Sequence, residues 1–238
     1  MMRKLAILAA ALALATPAAA QDAAAVKARV EALRARVELL KDHDKIENLQ
    51  AAYGFYFDKS LWSEVADLFA DDGSFEYGQM GVYVGKAHIK RGLTLISKEG
   101  PEFGKLNNHM QLQSIIDVAP DGKTAKARFR GMMQLSRANE GGQWGDGVYE
   151  NDYVKQNGVW KIARLHFYVD GVTDYDLGWT KSAIPLAGQS AAIPPDKPPT
   201  EVYRGYPGAY IPPYHYPHPV TGQPLNIPQP ADSVLGRK

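Results

Sequence analysis

Proline is distributed so unevenly along this chain that it restricts where a folded domain can lie. Of the 16 prolines among 238 residues, 13 fall within residues 182–238. Proline lacks a backbone N–H and fixes φ, so this density excludes helix and central strand. The same segment carries five tyrosines, which makes it too aromatic for a free linker. We therefore expect residues 181–238 to form an extended tail over the chain's own surface or that of a neighbouring subunit.

The first twenty residues have the pattern of a secretory signal peptide. Arg3 and Lys4 precede an apolar run over residues 5–14, and small residues lead to Ala20–Gln21. That run is shorter than the roughly 20 residues needed to span a bilayer. We expect residues 1–20 to be removed near Ala20–Gln21, leaving a periplasmic or secreted protein without a membrane partner.

Composition and export narrow the chemistry that the chain can perform. Lys and Arg number 27 against 26 Asp and Glu, a balance that argues against a nucleic-acid partner. The absence of cysteine excludes disulfides, thiolate nucleophiles and cysteine metal sites. The sequence has no glycine-rich phosphate motif, and NAD and ATP are scarce outside the cytoplasm, so we expect no cofactor. His215 and His218 lack a third ligand, so we expect no metal.

Residues 21–41 predict an N-terminal helix with a single apolar stripe. The stripe repeats at steps of four and three residues, which is the spacing of a coiled-coil seam. Its members are Val26, Val30, Leu33, Val37 and Leu40. Because the stripe lasts only two heptads, an amphipathic helix packed on its own domain explains it equally well. As a seam, it would join copies of the chain into a homodimer or homotrimer.

Residues 42–180 are patterned as an α+β domain, with helices first and long strands after them. Asp42 or Asp44 can cap a helix that ends near Asp58. The expected inward face of that helix is Ile46, Leu49, Tyr53 and Tyr56. A short helix stopping at 71–73 and a helix over 87–97 follow. Strands are expected at 74–77, 82–84, 107–118, 124–136, 148–156 and 159–169, with turns at 120–122 and 157–158 and a glycine-rich loop at 140–147.

The strand over 107–118 carries a row of polar side chains. Alternation places His109, Gln111 and Gln113 on one face. Met110, Leu112 and Ile116 are expected on the other face. A polar row pointing into a closed sheet indicates a wet cavity or a binding site.

Five segments of the domain carry a resemblance to a known family. They are Ile46–Leu49, Phe57–Trp62, Leu68–Gly73, Val82–Lys86 and Asn157–Ile162. Together they resemble the SnoaL-like proteins of the nuclear transport factor 2-like superfamily over residues 42–180. The resemblance implies a cone-shaped, curved mixed sheet packed with about three helices around a pocket. That fold hosts lyases, isomerases and non-catalytic binders alike.

Within the superfamily, the pattern is most similar to the group of scytalone dehydratase, dehydrochlorinase and bile-acid dehydratase. By that resemblance, His109 takes the place of the catalytic base and Asp58 that of its carboxylate partner. Tyr53 matches a pocket tyrosine, and Tyr77 matches a tyrosine that polarises the substrate. The chain departs from the group where Arg128 and Arg130 replace a second carboxylate and where Lys155 or Gln156 replaces an arginine.

The chemistry of these residues agrees with an elimination. A histidine oriented by a carboxylate gains basicity, and a tyrosine hydroxyl can stabilise a departing or polarised oxygen. Further candidates for substrate binding are Tyr56, Gln111, Arg128, Arg130, Tyr149, Arg164 and His166. The aromatic content suits a hydrophobic, aromatic or polycyclic substrate.

Two functions are therefore carried forward. The first is a cofactor-independent lyase that removes water or a small fragment such as formaldehyde from a hydrophobic alcohol. The second is a non-catalytic periplasmic protein for small-molecule binding or assembly. An intact contact between Asp58 and His109 that faces an open cavity favours the first, and a filled site favours the second.

Overall fold

The computed structural model describes the backbone of residues 2–233 and the side chains of residues 22–233. Contacts divide the chain into two compact units, residues 1–42 and 43–238. Helix α1 runs over Met2–Asp58, so it continues through Asp42 and Asp44, where a new helix start was expected. Residues 22–58 hold no proline and one glycine, so nothing in the sequence interrupts the helix there. Within the described part of the chain, no helix combines the length and apolarity needed to cross a membrane.

The expected apolar stripe of residues 21–41 lies along α1 and is exposed. Val26 and Leu40 are 62% and 67% accessible, and the three stripe residues between them are also exposed. The side chains of the expected signal peptide lie outside the described residues.

The inward face of α1 in the second unit is shifted from the expected one. It consists of Ile46, Gln50, Tyr53 and Phe57, all fully buried. Leu49 and Tyr56, expected on this face, are only partly buried at its margin. Gln50 can be buried because its amide is hydrogen-bonded inside the domain, as described below.

Two short helices follow α1. They are α2 (Trp62–Asp67) and α3 (Lys86–Leu93), so the domain has three helices, in line with the expected number of about three. Both end earlier than expected: α2 stops before 71–73 because β1 begins at Phe69, and α3 stops before 97. Between α1 and α2 the chain turns through Ser60, whose φ is 54°. The N–H groups of Ser60 and Leu61 donate to the carbonyls of Phe57 and Tyr56, a Schellman arrangement that closes α1.

One curved six-stranded sheet forms the rest of the domain, which confirms the α+β fold. Its strands are β1 (Phe69–Tyr77), β2 (Val82–Val84), β3 (Lys105–Val118), β4 (Thr124–Arg137), β5 (Gly141–Gln156) and β6 (Val159–Asp174). The spatial order is β2-β1-β6-β5-β4-β3. The sheet is mixed, because β1 pairs in parallel with β6 and the other neighbours are antiparallel. Asn157 and Gly158 both have positive φ in the expected hairpin turn.

The expected glycine-rich loop at 140–147 is in fact the first half of β5. A side chain at Gly147 would clash with the ring of Phe167, and one at Gly145 would clash with Met133. The glycines therefore serve close packing inside the sheet rather than a turn.

The sheet has an inner face that packs on α1 and an outer face that points away from it. The inner face carries Phe129, Met133, Tyr149 and Phe167 among its buried side chains. The outer face carries Arg128, Arg130, Met132, Glu150 and Tyr168. Each long strand contributes to both faces by alternation.

A β-bulge between Leu112 and Ile115 overturns part of the alternation expected for β3. Gln113, with φ of 50°, turns to the outer face and accepts a hydrogen bond from Arg130. Because one residue is inserted, Ile116 moves to the inner face and packs on the core. His109 and Gln111 precede the bulge and keep their expected inward orientation.

Over residues 181–233, the proline-rich tail crosses the outer face without helix or strand. Lys197 forms an isolated bridge with Val82 at the sheet edge. Further along, the buried Tyr203 hydroxyl accepts a hydrogen bond from the N–H of Val169. The extended tail predicted from proline content is therefore present, and it lies on the chain's own sheet.

Candidate active site

Asp58 and His109 meet where the end of α1 approaches β3. The closing turn of α1 fixes the exit of the helix, so Asp58 is presented to the strand. Its carboxylate accepts a hydrogen bond of 2.7 Å from the backbone N–H of His109. The same oxygen lies 3.8 Å from Nδ1 of the imidazole. The carboxylate therefore anchors the strand and faces the ring at once.

Tyr77 completes the group, and apolar side chains enclose it. The Tyr77 hydroxyl lies 3.4 Å from Nε2 of His109 and donates to Sδ of Met133 at 3.0 Å. Phe57 stands edge-on to the imidazole with ring centroids 4.5 Å apart. His109 is only 3% exposed. Phe57, Tyr77 and Met133 therefore cover the ring, and Arg128 and Met132 do not take part in covering it.

Burial holds the imidazole neutral. Loss of solvent, assisted by the nearby Lys105, lowers the pKa of His109 to about 3. Burial likewise raises the pKa of Asp58, against the lowering effect of the His109 N–H. Nδ1 of His109 has no hydrogen-bond partner among the described residues. The site thus holds a neutral imidazole with one nitrogen unpaired beside a carboxylate.

Tyr53 and Tyr149 lie deeper on the inner face. Their rings meet edge to face at 5.9 Å, and Tyr149 stacks on Phe167 at 4.2 Å. Burial raises the pKa of Tyr53 well above its usual value, with a smaller contribution from Tyr149. Both tyrosines remain neutral donors. Tyr53 stands next to Phe57 rather than next to His109.

A buried polar chain extends from the site and was not foreseen from the sequence. Gln111 donates to the carbonyl of His109 at 2.9 Å and accepts from the Gln50 amide at 2.8 Å. The Gln50 carbonyl oxygen accepts from the Tyr153 hydroxyl and the Asn151 amide. One sequence signal could have indicated it. Gln50 lies three residues before Tyr53 and seven before Phe57, a spacing that places all three on one face of a helix.

The remaining candidates for substrate binding lie on the other side of the sheet. Arg128, Arg130, Arg164 and His166 belong to the outer face, so the sheet separates them from His109. Nε of Arg164 donates a hydrogen bond of 2.7 Å to the Asp152 carboxylate. The candidates implied by sequence thus divide into two groups that cannot contact one small ligand together.

His166 forms a second buried histidine–carboxylate pair beneath the tail. Its Nδ1 lies 3.4 Å from Glu76, and its ring stacks on Tyr168 at 3.7 Å. The Glu76 carboxylate accepts two 2.7 Å hydrogen bonds from the backbone and hydroxyl of Thr200. Burial lowers the pKa of His166 to about 3 and raises that of Glu76. Since both Glu76 oxygens are used by the tail, this pair anchors Thr200.

His215 and His218 do not face a common ion. Nδ1 of His215 lies 2.8 Å from Glu150, which also contacts Arg128. His218 accepts from the backbone N–H groups of Val220 and Thr221. Among the described residues, no group of three or more His, Asp or Glu side chains is arranged to hold a metal.

Two cavities border these elements. One, of about 430 Å³, opens at the start of β3 beside Lys105 and Asn107. Asn107 lies two residues before His109 and on the same face of the strand. The other, of about 710 Å³, lies between the outer face and the tail. Neither is lined by His109.

The fold agrees with the outcome of comparisons with known proteins. A family model described as the SnoaL-like domain matches residues 38–166, more than half of the chain. The protein therefore belongs to the SnoaL-like domain family. No curated protein sequence matches the chain.

Solved structures share the fold at low sequence identity. A scytalone dehydratase-like protein from Novosphingobium aromaticivorans has a TM-score of 0.53 and 22% identity, covering 66% of this chain and 97% of its own. A type 2 hexachlorocyclohexane dehydrochlorinase has a TM-score of 0.51 and 16% identity, covering 58% and 92%. These likenesses show that the fold is shared with this chain.

Proposed function

We propose that the protein is a cofactor-independent lyase whose site is centred on His109. The observation that supports this most directly is the unpaired Nδ1 of a buried, neutral imidazole, 3.8 Å from the Asp58 carboxylate. A neutral imidazole can accept a proton, and a carboxylate on its far nitrogen stabilises the imidazolium that results. Two similar folds belong to a scytalone dehydratase-like protein and a dehydrochlorinase, both elimination enzymes by name.

The reaction assigns one role to each group. Nε2 of His109 takes a proton from the carbon next to a carbonyl or aromatic ring, and the C–H electrons form the new double bond. The C–O bond breaks, and the imidazolium returns its proton to the departing hydroxyl, which leaves as water. Tyr77 donates a hydrogen bond to the carbonyl or phenolic oxygen, where negative charge develops. Asp58 is a positioning residue for the imidazole.

Loss of formaldehyde uses the same base. Here His109 takes the proton of a hydroxymethyl group, and the C–C electrons pass into an adjacent carbonyl as formaldehyde departs. The imidazolium then protonates the enolate carbon. The substrate class is a hydrophobic aromatic or polycyclic alcohol, because the walls around His109 are Phe57, Tyr77 and Met133.

Turnover of aryl-substituted diols and hydroxy-ketones, followed by product mass, tests the proposal. Loss of water or formaldehyde by the wild type is expected to fall about 10²–10⁴-fold in His109→Gln. Asn108→Ala is the matched control, since Asn108 is the preceding residue and its amide bonds to Gln134 on the outer face. Substrate deuterated at the scissile C–H should react more slowly if dehydration is the reaction.

The alternative is a non-catalytic binding protein, and the enclosure of His109 favours it. Substrate can reach the ring only if Phe57, Tyr77 or Met133 moves, since His109 is 3% exposed. Tight binding of these compounds without any change in mass would contradict the lyase and support the binder. Equal activity of wild type and His109→Gln would also contradict the proposed base.

Export and self-association are separate proposals. We propose that residues 1–20 are removed during export, which N-terminal sequencing of the protein from the periplasm would test. We propose also that the exposed stripe Val26–Leu40 joins copies of the chain. Light scattering should then give a dimer or trimer mass for the wild type and a lower mass for Leu33→Glu. An unchanged mass would contradict the stripe as an interface.

A further inference from the structure

The cavity of about 710 Å³ under the tail has the dimensions of a ligand pocket. Its floor is the outer face of β4, β5 and β6, and its roof is the tail over residues 203–214. The tail is held there by bonds that lie outside the cavity lining. Among them, Thr200 binds Glu76, and His215 binds Glu150. The roof is therefore attached at both ends, and the space beneath it is part of the fold.

The floor carries two guanidinium groups, those of Arg128 and Arg130, and two carboxylates, those of Asp146 and Asp170, while Arg204 lines the roof. Arg128 is already paired with Glu150. Nη1 of Arg130 lies 2.9 Å from Asp146 and 3.7 Å from Asp170, and its Nε donates to Gln113. Asp170 is the unpaired residue of a β-bulge, opposite the step from Asp146 to Gly147. Bulges of this kind redirect a side chain, and here the redirected group is an acid in a cavity. Asp170 is about two-thirds buried as a side chain, at 32% exposure.

The walls are aromatic and only partly covered. Trp144, Trp179, Tyr206, Tyr210 and Tyr214 all line the cavity. Trp179 and Tyr206 are 60% and 46% exposed, although large aromatic side chains normally bury their area. Apolar contact with a ligand would cover this surface.

We propose that this cleft is a second ligand site, which binds an aromatic alcohol or phenol. Flat rings match the aromatic walls by stacking. A hydroxyl group can donate to Asp146 or Asp170 and accept from Arg130, which an alkyl substituent cannot do. The site stands apart from His109, so it does not depend on whether the protein catalyses a reaction.

Isothermal titration calorimetry with 2-naphthol as the probe tests this site on the full chain. Binding is expected to weaken about tenfold in Asp170→Asn, because a hydrogen bond to a charged acceptor is lost. Met132→Trp, which fills the floor without changing a charged group, should abolish binding. Lys126→Gln, on the outer face but outside the cleft, serves as the matched control.

The outcomes separate this site from the one at His109. Circular dichroism and thermal unfolding establish whether each variant is folded. If Asp170→Asn does not fold, Met132→Trp still tests the proposal. Loss of naphthol binding in His109→Gln with retention in Met132→Trp would overturn the proposal and locate the ligand on the inner face. The proposal would also be overturned if the wild type did not bind 2-naphthol, or if Asp170→Asn and Met132→Trp both bound it as tightly as the wild type.

Discussion

The two faces of the sheet are built by the same strands but surround their polar side chains differently. On the inner face, titratable groups are surrounded by rings, and burial holds His109 neutral. On the outer face, arginines are paired with carboxylates, as in the contacts of Arg128 with Glu150 and of Arg130 with Asp146. The exception is His166, which burial holds neutral like His109. The outer face also has a cover of its own, the tail.

The two proposals place proton transfer on the inner face and ligand binding on the outer face. In the proposed lyase, the neutral His109 acts as the base, and the Asp58 carboxylate that faces its Nδ1 stabilises the imidazolium. Paired charges beneath a roof suit the orientation of a polar group on an otherwise apolar ligand. Alternation in β3 and β4 places the two environments one residue apart, at His109 and Asn108 or at Met133 and Met132.

The largest effect on stability is expected from the inner face. Phe57→Ala should lower the free energy of unfolding by about 3–5 kcal/mol, because it leaves a cavity among fully buried rings. On the outer face, Tyr214 covers the Arg128 guanidinium at 4.1 Å and is 36% exposed. Tyr214→Ala should cost about 1 kcal/mol. Urea denaturation of both variants measures the contrast, and equal losses would show that the faces do not differ in this way.

A smaller effect separates two ion pairs on the outer face. Arg128 and Glu150 have side chains 12% and 5% exposed, whereas those of Arg130 and Asp146 are 41% and 48% exposed. Arg128→Gln should lower the free energy of unfolding by about 3 kcal/mol, because it leaves a buried carboxylate with only His215. Arg130→Gln should cost less than about 1 kcal/mol. A loss in Arg130→Gln as large as in Arg128→Gln would contradict the role of burial.

A further effect is a pH dependence shared by both faces. The pKa values of His109 and His166 are lowered from 6.5 to about 3 in the folded protein. The unfolded chain therefore binds more protons between these values, and stability falls as the pH drops below about 6.5. The raised pKa values of Asp58 and Glu76 act in the opposite sense. Thermal unfolding at a series of pH values should show a shallower acid slope in His109→Gln and in His166→Gln than in the wild type.

Local sequence signals were sufficient to predict an element where the residue types themselves restrict the backbone conformation. The hairpin at Asn157 and Gly158 and the strand Val82–Val84 were predicted at their observed positions. The contact between Asp58 and His109 was implied by resemblance, not by spacing, since the two residues are far apart in the chain. Its local cause, the turn through Ser60, has no strong sequence signal because serine seldom adopts positive φ.

The sequence-based predictions were wrong where contacts with residues distant in sequence decide the local structure. The bulge after Leu112 moved Gln113 and Ile116 to faces that strict alternation does not give them. The glycines of β5 were assigned to a loop because the large rings and thioether they accommodate lie on β4 and β6. Gln50 was overlooked because its hydrogen-bond partners, such as Tyr153, come from strands a hundred residues away.

The sequence by itself determined the order of helices, strands and tail, because periodicity, turn residues and proline act on the local backbone. It also supplied the family motifs that brought His109 and Asp58 forward as a pair. Only the tertiary structure decided which face each polar residue occupies and how far its charge is suppressed. Those properties depend on bulges, burial and the path of the tail, which are set by contacts between residues distant in sequence.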